Sequence, residues 1–182
     1  MRRTGGCKVP DKKIDIYQQA VEIEERGREF YERAAAKTEN PLGREIFQAL
    51  LESEREHIQR IENICKALKE GRAIEREIVE CPIDVDEVKR LFESIYEQHR
   101  EIIASTTDDA DAVKVGMELE KAAIEFYRKK LGEVGDPLER EFIEQMIIEE
   151  ELHYKALAEL HAYFTDPKGW LEEKQGFKMD SG

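Results

Sequence analysis

Two short motifs place a glutamate three residues before a histidine, EREH at 54–57 and EELH at 150–153. In a helix, residues three apart lie on the same face, so each motif can present a carboxylate and an imidazole together. Oxygen ligands combined with imidazole suit Fe²⁺ or Mn²⁺ better than a structural zinc ion. One such motif is a weak signal in a chain this rich in glutamate, so the residues around both motifs must show whether they form a metal site.

Both motifs interrupt rows of apolar residues that follow alternating steps of three and four, the spacing of a buried helix face. The first row is Phe47, Leu50, Glu54, His57, Ile61, Ile64 and Leu68, and the second is Ile143, Met146, Glu150, His153, Leu157, Leu160 and Phe164. Two further helical rows carry one glutamate each, Glu24 and Glu120. Glu56, Glu149 and Glu151 fall off the rows and are expected to be solvated, and His99 and His161 are expected at the surface.

Four carboxylates in one core need compensation, because each isolated buried ion costs several kcal/mol. Two divalent cations would balance four glutamates, and two neutral histidines would complete the coordination. We therefore predict a two-metal site whose ligands are Glu24, Glu54, His57, Glu120, Glu150 and His153. The alternative is a helical bundle in which the acidic spacing is accidental.

The chain also contains an internal repeat with a shift of 96 residues. The shift aligns NPLGRE (40–45) with DPLERE (136–141), EERGREFY (24–31) with EKAAIEFY (120–127), and EREH with EELH, without a gap. We predict two related helical hairpins, 11–70 and 107–164, joined by a connector, 71–106. The connector contains a pattern for a further helix of about 20 residues, long enough to run from one end of a bundle to the other. The predicted fold class is therefore an all-α four-helix bundle with a long crossover.

Composition narrows the choice of partner and compartment. The formal net charge is −13 and no cluster of Lys or Arg stands out, so nucleic acid is not expected as a partner. No apolar run of about 18 residues is present, and no apolar stretch follows the first three residues, so we expect no membrane association and a cytoplasmic location. Residues 1–10 are expected to be a flexible lead, and residues 165–182, with Trp170, an irregular tail.

The cysteines argue against two other kinds of site. Cys7, Cys65 and Cys81 are odd in number and widely spaced, so a disulfide framework is not expected. No Cys-x-x-Cys pair occurs in the sequence, which excludes a zinc ribbon and a rubredoxin-type iron centre within it.

One glutamate from each of two helices and Glu-x-x-His from each of two others resembles the site of ferritin-like di-iron bundles. EERGREFY and EKAAIEFY, each with its Glu-x-x-His 30 residues on, are similar to rubrerythrin-type members of that superfamily over about residues 12–164, apart from the connector. The resemblance implies a ferritin-like bundle with two iron ions, or manganese at one or both positions. It further implies that Tyr31 and Tyr127 each hydrogen-bond a ligand carboxylate of the opposite hairpin. We expect Glu54 and Glu150 to bridge the metals and the other four ligands to be terminal.

The function expected from this resemblance is that of a non-haem di-iron oxidoreductase, which reduces hydrogen peroxide or O₂ in oxidative-stress defence. A separate electron donor, such as a rubredoxin or a flavoprotein, is then required. Peroxide-reducing rubrerythrins are similar but carry an extra glutamate one turn after the third-helix ligand, where this chain has Ala123 and, at the equivalent position of the first hairpin, Gly27. Ferroxidase activity with iron handling is the first alternative, and a non-catalytic metal-binding bundle is the second. A homodimer is expected, with or without exchange of hairpins between subunits.

Overall fold

The structure is a computed structural model that describes residues 11–79, 107–170 and 172. Its helices are α1 (Asp11–Lys37), α2 (Pro41–Lys69), α3 (Arg76–Val79), α4 (Thr107–Leu131) and α5 (Pro137–Thr165). The described residues contain no β-strand, and the all-α prediction is confirmed. The lead at 1–10, the long helix predicted within the connector and the end of the tail lie outside the described residues. None of the described helices is both long and apolar enough to cross a membrane.

The two long helices that carry the Glu-x-x-His motifs begin in the same way, as the repeat predicts. The side chain of Asn40 accepts a hydrogen bond from the backbone N–H of Gly43 at 3.1 Å, and that of Asp136 accepts one from Leu138 at 2.9 Å. A proline follows each cap residue, where its missing N–H costs nothing. At the other end of α2, Gly71 has a φ of 67°, the left-handed conformation that commonly terminates a helix.

The four long helices pack as a bundle in which neighbouring helices run antiparallel. Helix α1 packs on α2 and on α4, and α5 packs on α4 and on α2. Pairs of contacts run in opposite order along the helices, namely Glu24–Tyr127 and Tyr31–Glu120 between α1 and α4, and Ser53–His153 and Arg60–Glu149 between α2 and α5. Since each hairpin is also antiparallel, α4 begins at the end of the bundle opposite to the one where α2 ends. This is the topology of a single long crossover.

Apolar side chains fill the bundle on both sides of a polar centre. One core cluster contains Tyr31, Phe47, Leu50, Val113 and Leu160, and the other contains Tyr17, Ile61, Ile64, Phe142 and Met146. Along α2, the first cluster ends at Leu51 and the second begins at Ile61, and the Glu-x-x-His motif lies between them. The same order, reversed, holds on α5. The bundle therefore surrounds the polar centre with packed apolar layers.

The start of the C-terminal tail differs from the irregular segment expected. Residues 167–170 form a helical turn, in which the N–H of Trp170 donates to the carbonyl of Asp166 at 3.0 Å. The indole of Trp170 is buried, packs edge-on against Tyr163, and donates from Nε1 to Glu159 Oε2 at 2.9 Å. Burial of this large side chain and its satisfied N–H explain why the turn is ordered.

Candidate metal centre

The structure brings all six predicted ligands together in the middle of the bundle. Helices α1 and α4 contribute one glutamate each, and α2 and α5 contribute a Glu-x-x-His pair each; the set is Glu24, Glu54, His57, Glu120, Glu150 and His153. Every one of these residues is at most 5% exposed. The three-residue spacing works as predicted, because it aims both members of each motif from one helix face into the bundle.

The six side chains form two groups that share one carboxylate. Glu54, Glu120, Glu150 and His153 form one group, Glu24, His57 and Glu150 form the other, and the ligand atoms within each group lie within 4.8 Å of one another. Glu150 faces both histidines, with Oε1 3.1 Å from His57 Nδ1 and Oε2 3.4 Å from His153 Nδ1. Glu54 lies in the first group and 3.9 Å from His57 of the second. Glu150 therefore lies between the two groups, and Glu54 does so less closely.

Three buried polar atoms at this centre have no hydrogen-bond partner, namely both carboxylate oxygens of Glu150 and Nδ1 of His153. A buried acceptor without a partner costs about 1–3 kcal/mol, and more when it is charged. Metal coordination would satisfy all three atoms at once. The donor set, carboxylate oxygens with imidazole nitrogen, is one that Fe²⁺ and Mn²⁺ accept.

The carboxyl groups at the centre have pKa values shifted in different directions. Burial, together with the charges of Glu24 and Glu150, raises the pKa of Glu54 well above its ordinary value. Burial and the charge of Glu150 raise the pKa of Glu120 to about 8. Burial also opposes ionisation of Glu150, but the two histidines outweigh it and hold the pKa of that carboxyl well below its ordinary value.

The pKa values of both histidines are raised. Burial lowers the pKa of His57, but the carboxylates of Glu150, Glu149 and Glu24 outweigh this effect, and its pKa lies well above the ordinary value. The same competition, with Glu120 and Glu150, raises the pKa of His153 to about 10. Without metal, the centre therefore holds protons at neutral pH. Cations that bind there must displace those protons, which couples metal affinity to pH.

Two tyrosines tie the hairpins together through the terminal glutamates, as the resemblance implied. The hydroxyl of Tyr31 on α1 donates to Glu120 Oε1 on α4, and the hydroxyl of Tyr127 on α4 donates to Glu24 Oε1 on α1. Both tyrosines are buried, and burial with the neighbouring carboxylates raises the pKa of each phenol well above its ordinary value. Each phenol therefore stays protonated and keeps donating to its carboxylate.

Glu149 was expected in solvent, and this expectation is wrong. Its side chain is buried, accepts from His57 Nε2 at 2.6 Å, and receives two N–H groups of Arg60 at 2.9 to 3.0 Å. Burial raises the pKa of this carboxyl, but the bonds from His57 and Arg60 outweigh it and leave the pKa below its ordinary value. Position 149 lies three residues after Met146 and four before His153, at the edge of the buried row, and that edge position is the sequence signal for its burial.

A cavity of about 70 Å³ lies directly beside the centre. Its lining includes Glu24, Glu54, Glu120 and Glu150, together with the small residues Gly27 and Ala123. A Cβ atom at position 27 would lie 2.9 Å from the Glu54 carboxylate, so the glycine leaves room at this wall. The cavity has room for more than one water molecule, and therefore for a small ligand of a few heavy atoms.

The remaining candidate residues take no part in either ligand group. His161 is half-buried rather than at the surface, and Cys65 is a buried free thiol on α2 that packs in the apolar core. His99, Cys7 and Cys81 lie outside the described residues.

An antiparallel four-helix bundle with a long crossover, a buried Glu₄His₂ centre and two hairpins of one sequence pattern defines a ferritin-like di-metal carboxylate protein. The model of the Rubrerythrin family matches residues 15–161, and the chain belongs to this family. Searches of curated proteins and of solved structures each found no match.

Proposed function

We propose that this chain is a non-haem di-iron oxidoreductase that reduces hydrogen peroxide in preference to O₂. The observation that carries the proposal is the cavity of about 70 Å³ beside the centre, which leaves room for a small oxidant; its lining includes four ligand carboxylates and the small residues Gly27, Ala122 and Ala123. A structural metal site is typically closed, whereas a catalytic one keeps room for a substrate.

Six side chains would hold the metal ions, with Glu54 and Glu150 as bridging carboxylates and Glu24, Glu120, His57 and His153 as terminal ligands. Iron ions bound by these residues would supply the two electrons for cleavage of an O–O bond and would stabilise the developing negative charge. Reduction of hydrogen peroxide to two water molecules takes up two electrons and two protons. Each electron must be returned afterwards by a separate donor, and we propose a rubredoxin or a flavoprotein in the cytoplasm for this role.

The protein part of the mechanism is positioning. Tyr31 and Tyr127 orient Glu120 and Glu24 from the opposite hairpin, and their hydroxyl groups hold protons at the edge of the centre. Gly27 and Ala123 keep space for a small oxidant beside the carboxylates. The apolar layers on both sides limit the access of bulk water, which strengthens the electrostatic interactions inside.

Ferroxidase activity is the second candidate, and Ala123 favours it. Position 123 faces the cavity, yet it offers no carboxylate of the kind that peroxide-reducing relatives are expected to use there. In this reading Fe²⁺ is the substrate, and Fe³⁺ leaves the site after oxidation. A bundle that only binds metal is the third candidate.

Anaerobic loading with Fe²⁺ followed by stopped-flow mixing with peroxide or O₂ separates these candidates. We expect faster oxidation by peroxide, retention of both irons, and return to Fe²⁺ when a reductant is added. Equal rates with loss of Fe³⁺ would establish iron handling, and absence of oxidation would establish a binding protein. Ala123→Glu should accelerate oxidation by peroxide, whereas Glu118→Ala, at an exposed position of the same helix, should not change it.

A further inference from the structure

The two histidines of the centre are held by different partners. Each directs Nδ1 toward the ligand carboxylates and Nε2 toward a side chain of the opposite hairpin. His57 Nε2 donates to Glu149 Oε2 at 2.6 Å, with the Ser53 hydroxyl more distant at 3.5 Å. His153 Nε2 is paired with Ser53 Oγ at 2.9 Å. The imidazole of His57 is therefore hydrogen-bonded to a carboxylate, and that of His153 to a hydroxyl.

This difference lies at equivalent positions of the internal repeat. The shift of 96 residues that aligns the two ligand sets also aligns Ser53 with Glu149, and it aligns Arg60 with Ala156. The ligands themselves are the same in both halves, so the pairs Ser53/Glu149 and Arg60/Ala156 break the symmetry just outside them. The histidine of the first hairpin therefore has a charged partner from the second hairpin, whereas the histidine of the second hairpin has only a hydroxyl partner from the first.

Arg60 keeps the Glu149 carboxylate in place. The guanidinium donates to both oxygens of Glu149, and the two side chains are 11% and 7% exposed. The guanidinium carbon also lies 5.5 Å from the centre of the Phe142 ring, a cation–π contact that favours this position. A charged hydrogen bond in a fixed geometry is stronger than one to a neutral hydroxyl.

A carboxylate that accepts the N–H of a ligand histidine fixes the tautomer and ring orientation and raises the basicity of the coordinating nitrogen. Ser53 offers His153 a neutral acceptor, which fixes the tautomer and ring orientation less firmly and raises the basicity of the coordinating nitrogen less. The metal position served by His57 should therefore hold a cation more tightly than the position served by His153.

We propose that Glu149, clamped by Arg60, is a positioning residue that makes the His57 side the stronger of two unequal metal positions, so that the centre fills in two steps. The proposal rests on the proposed metal centre, but it does not depend on the reaction that takes place there. Its test is therefore a binding measurement on the whole chain.

The test is titration of the metal-free protein with Mn²⁺, followed by the EPR signal of the free ion. Wild type should show a tighter and a weaker step. Glu149→Ser gives the second hairpin the residue of the first and should weaken the tighter step about 10- to 100-fold, so that the steps converge. Glu144→Ser, at an exposed position of α5, should leave both steps unchanged.

An unchanged tighter step in Glu149→Ser, or an equal weakening of both steps, would overturn the proposal. Circular dichroism of the metal-free variants reports whether they fold. Should Glu149→Ser fail to fold, Glu149→Gln retains an acceptor for His57 but no charge, and it should weaken the tighter step in the same direction; no change in that step would also overturn the proposal. If wild type binds metal in two steps but does not reduce peroxide, the proposed function is wrong and the proposal of unequal metal positions stands.

Discussion

Tyr127 donates a hydrogen bond to Glu24 Oε1 at 2.5 Å and so joins the second hairpin to a ligand candidate of the first. Its counterpart Tyr31 makes the same contact with Glu120 in the other direction. Each hairpin thereby fixes the terminal glutamate of its neighbour. The geometry of the centre consequently depends on how the hairpins pack, and not only on the helices that carry the ligands.

Removal of one of these hydroxyl groups should loosen the centre without breaking the bundle. Tyr127→Phe keeps the buried ring but leaves Glu24 Oε1 without its donor, so we expect Mn²⁺ binding to weaken about 10-fold. Tyr154→Phe, at a half-buried position on α5, is the control and should bind as wild type. Equal affinities in the two variants would show that Tyr127 does not orient its carboxylate.

The number of bound metal ions should depend on which glutamate is removed. Glu150 belongs to both ligand groups and Glu24 to one, so Glu150→Ala should abolish binding at both positions and Glu24→Ala mainly at one. Metal analysis after anaerobic loading with Fe²⁺ measures the stoichiometry. Glu56→Ala, at an exposed position of α2, should retain the wild-type value. Unchanged stoichiometry in Glu150→Ala would refute the two-metal assignment.

Stability of the metal-free protein should fall as pH rises above neutrality. Unfolding returns the pKa of His153 from about 10 to 6.5, so between these values the folded state binds more protons and loses stability with rising pH. Glu120, whose pKa falls from about 8 to 4.5 on unfolding, acts in the same direction between those values. Cations replace these protons, so the melting temperature with Fe²⁺ or Mn²⁺ should be higher. The gap should widen from about pH 7 to about pH 9; a constant or closing gap in thermal melts would contradict this.

Gly27→Ala should separate helix stability from metal binding. Alanine favours a helix over glycine by about 1 kcal/mol, so the metal-free variant should melt at or above the wild-type temperature. The added Cβ, however, lies 2.9 Å from the Glu54 carboxylate and narrows the cavity. We therefore expect weaker Mn²⁺ binding and slower oxidation of the Fe²⁺-loaded protein. Unaltered binding together with unaltered oxidation would mean that the glycine serves no purpose at this wall.

The helices and hairpins could be predicted from local signals in the sequence. The caps at Asn40 and Asp136, each followed by proline, and the glycine at position 71 mark helix ends by backbone chemistry alone. The apolar rows predicted which face of each helix is buried, because the period of 3.6 residues relates sequence spacing directly to direction. The shift of 96 residues then predicted that two such hairpins form one bundle.

The helices, the repeat and the six polar residues that face one another could all be predicted from the sequence, because each follows from spacing along a single helix or from comparison of two. The burial of Glu149 against His57 and Arg60, and the position of Glu150 facing both histidines, emerged only when the helices were packed. The same holds for the cavity beside Gly27 and Ala123. These features depend on the separation and rotation of neighbouring helices, which arise from packing across the bundle and leave no period in the sequence.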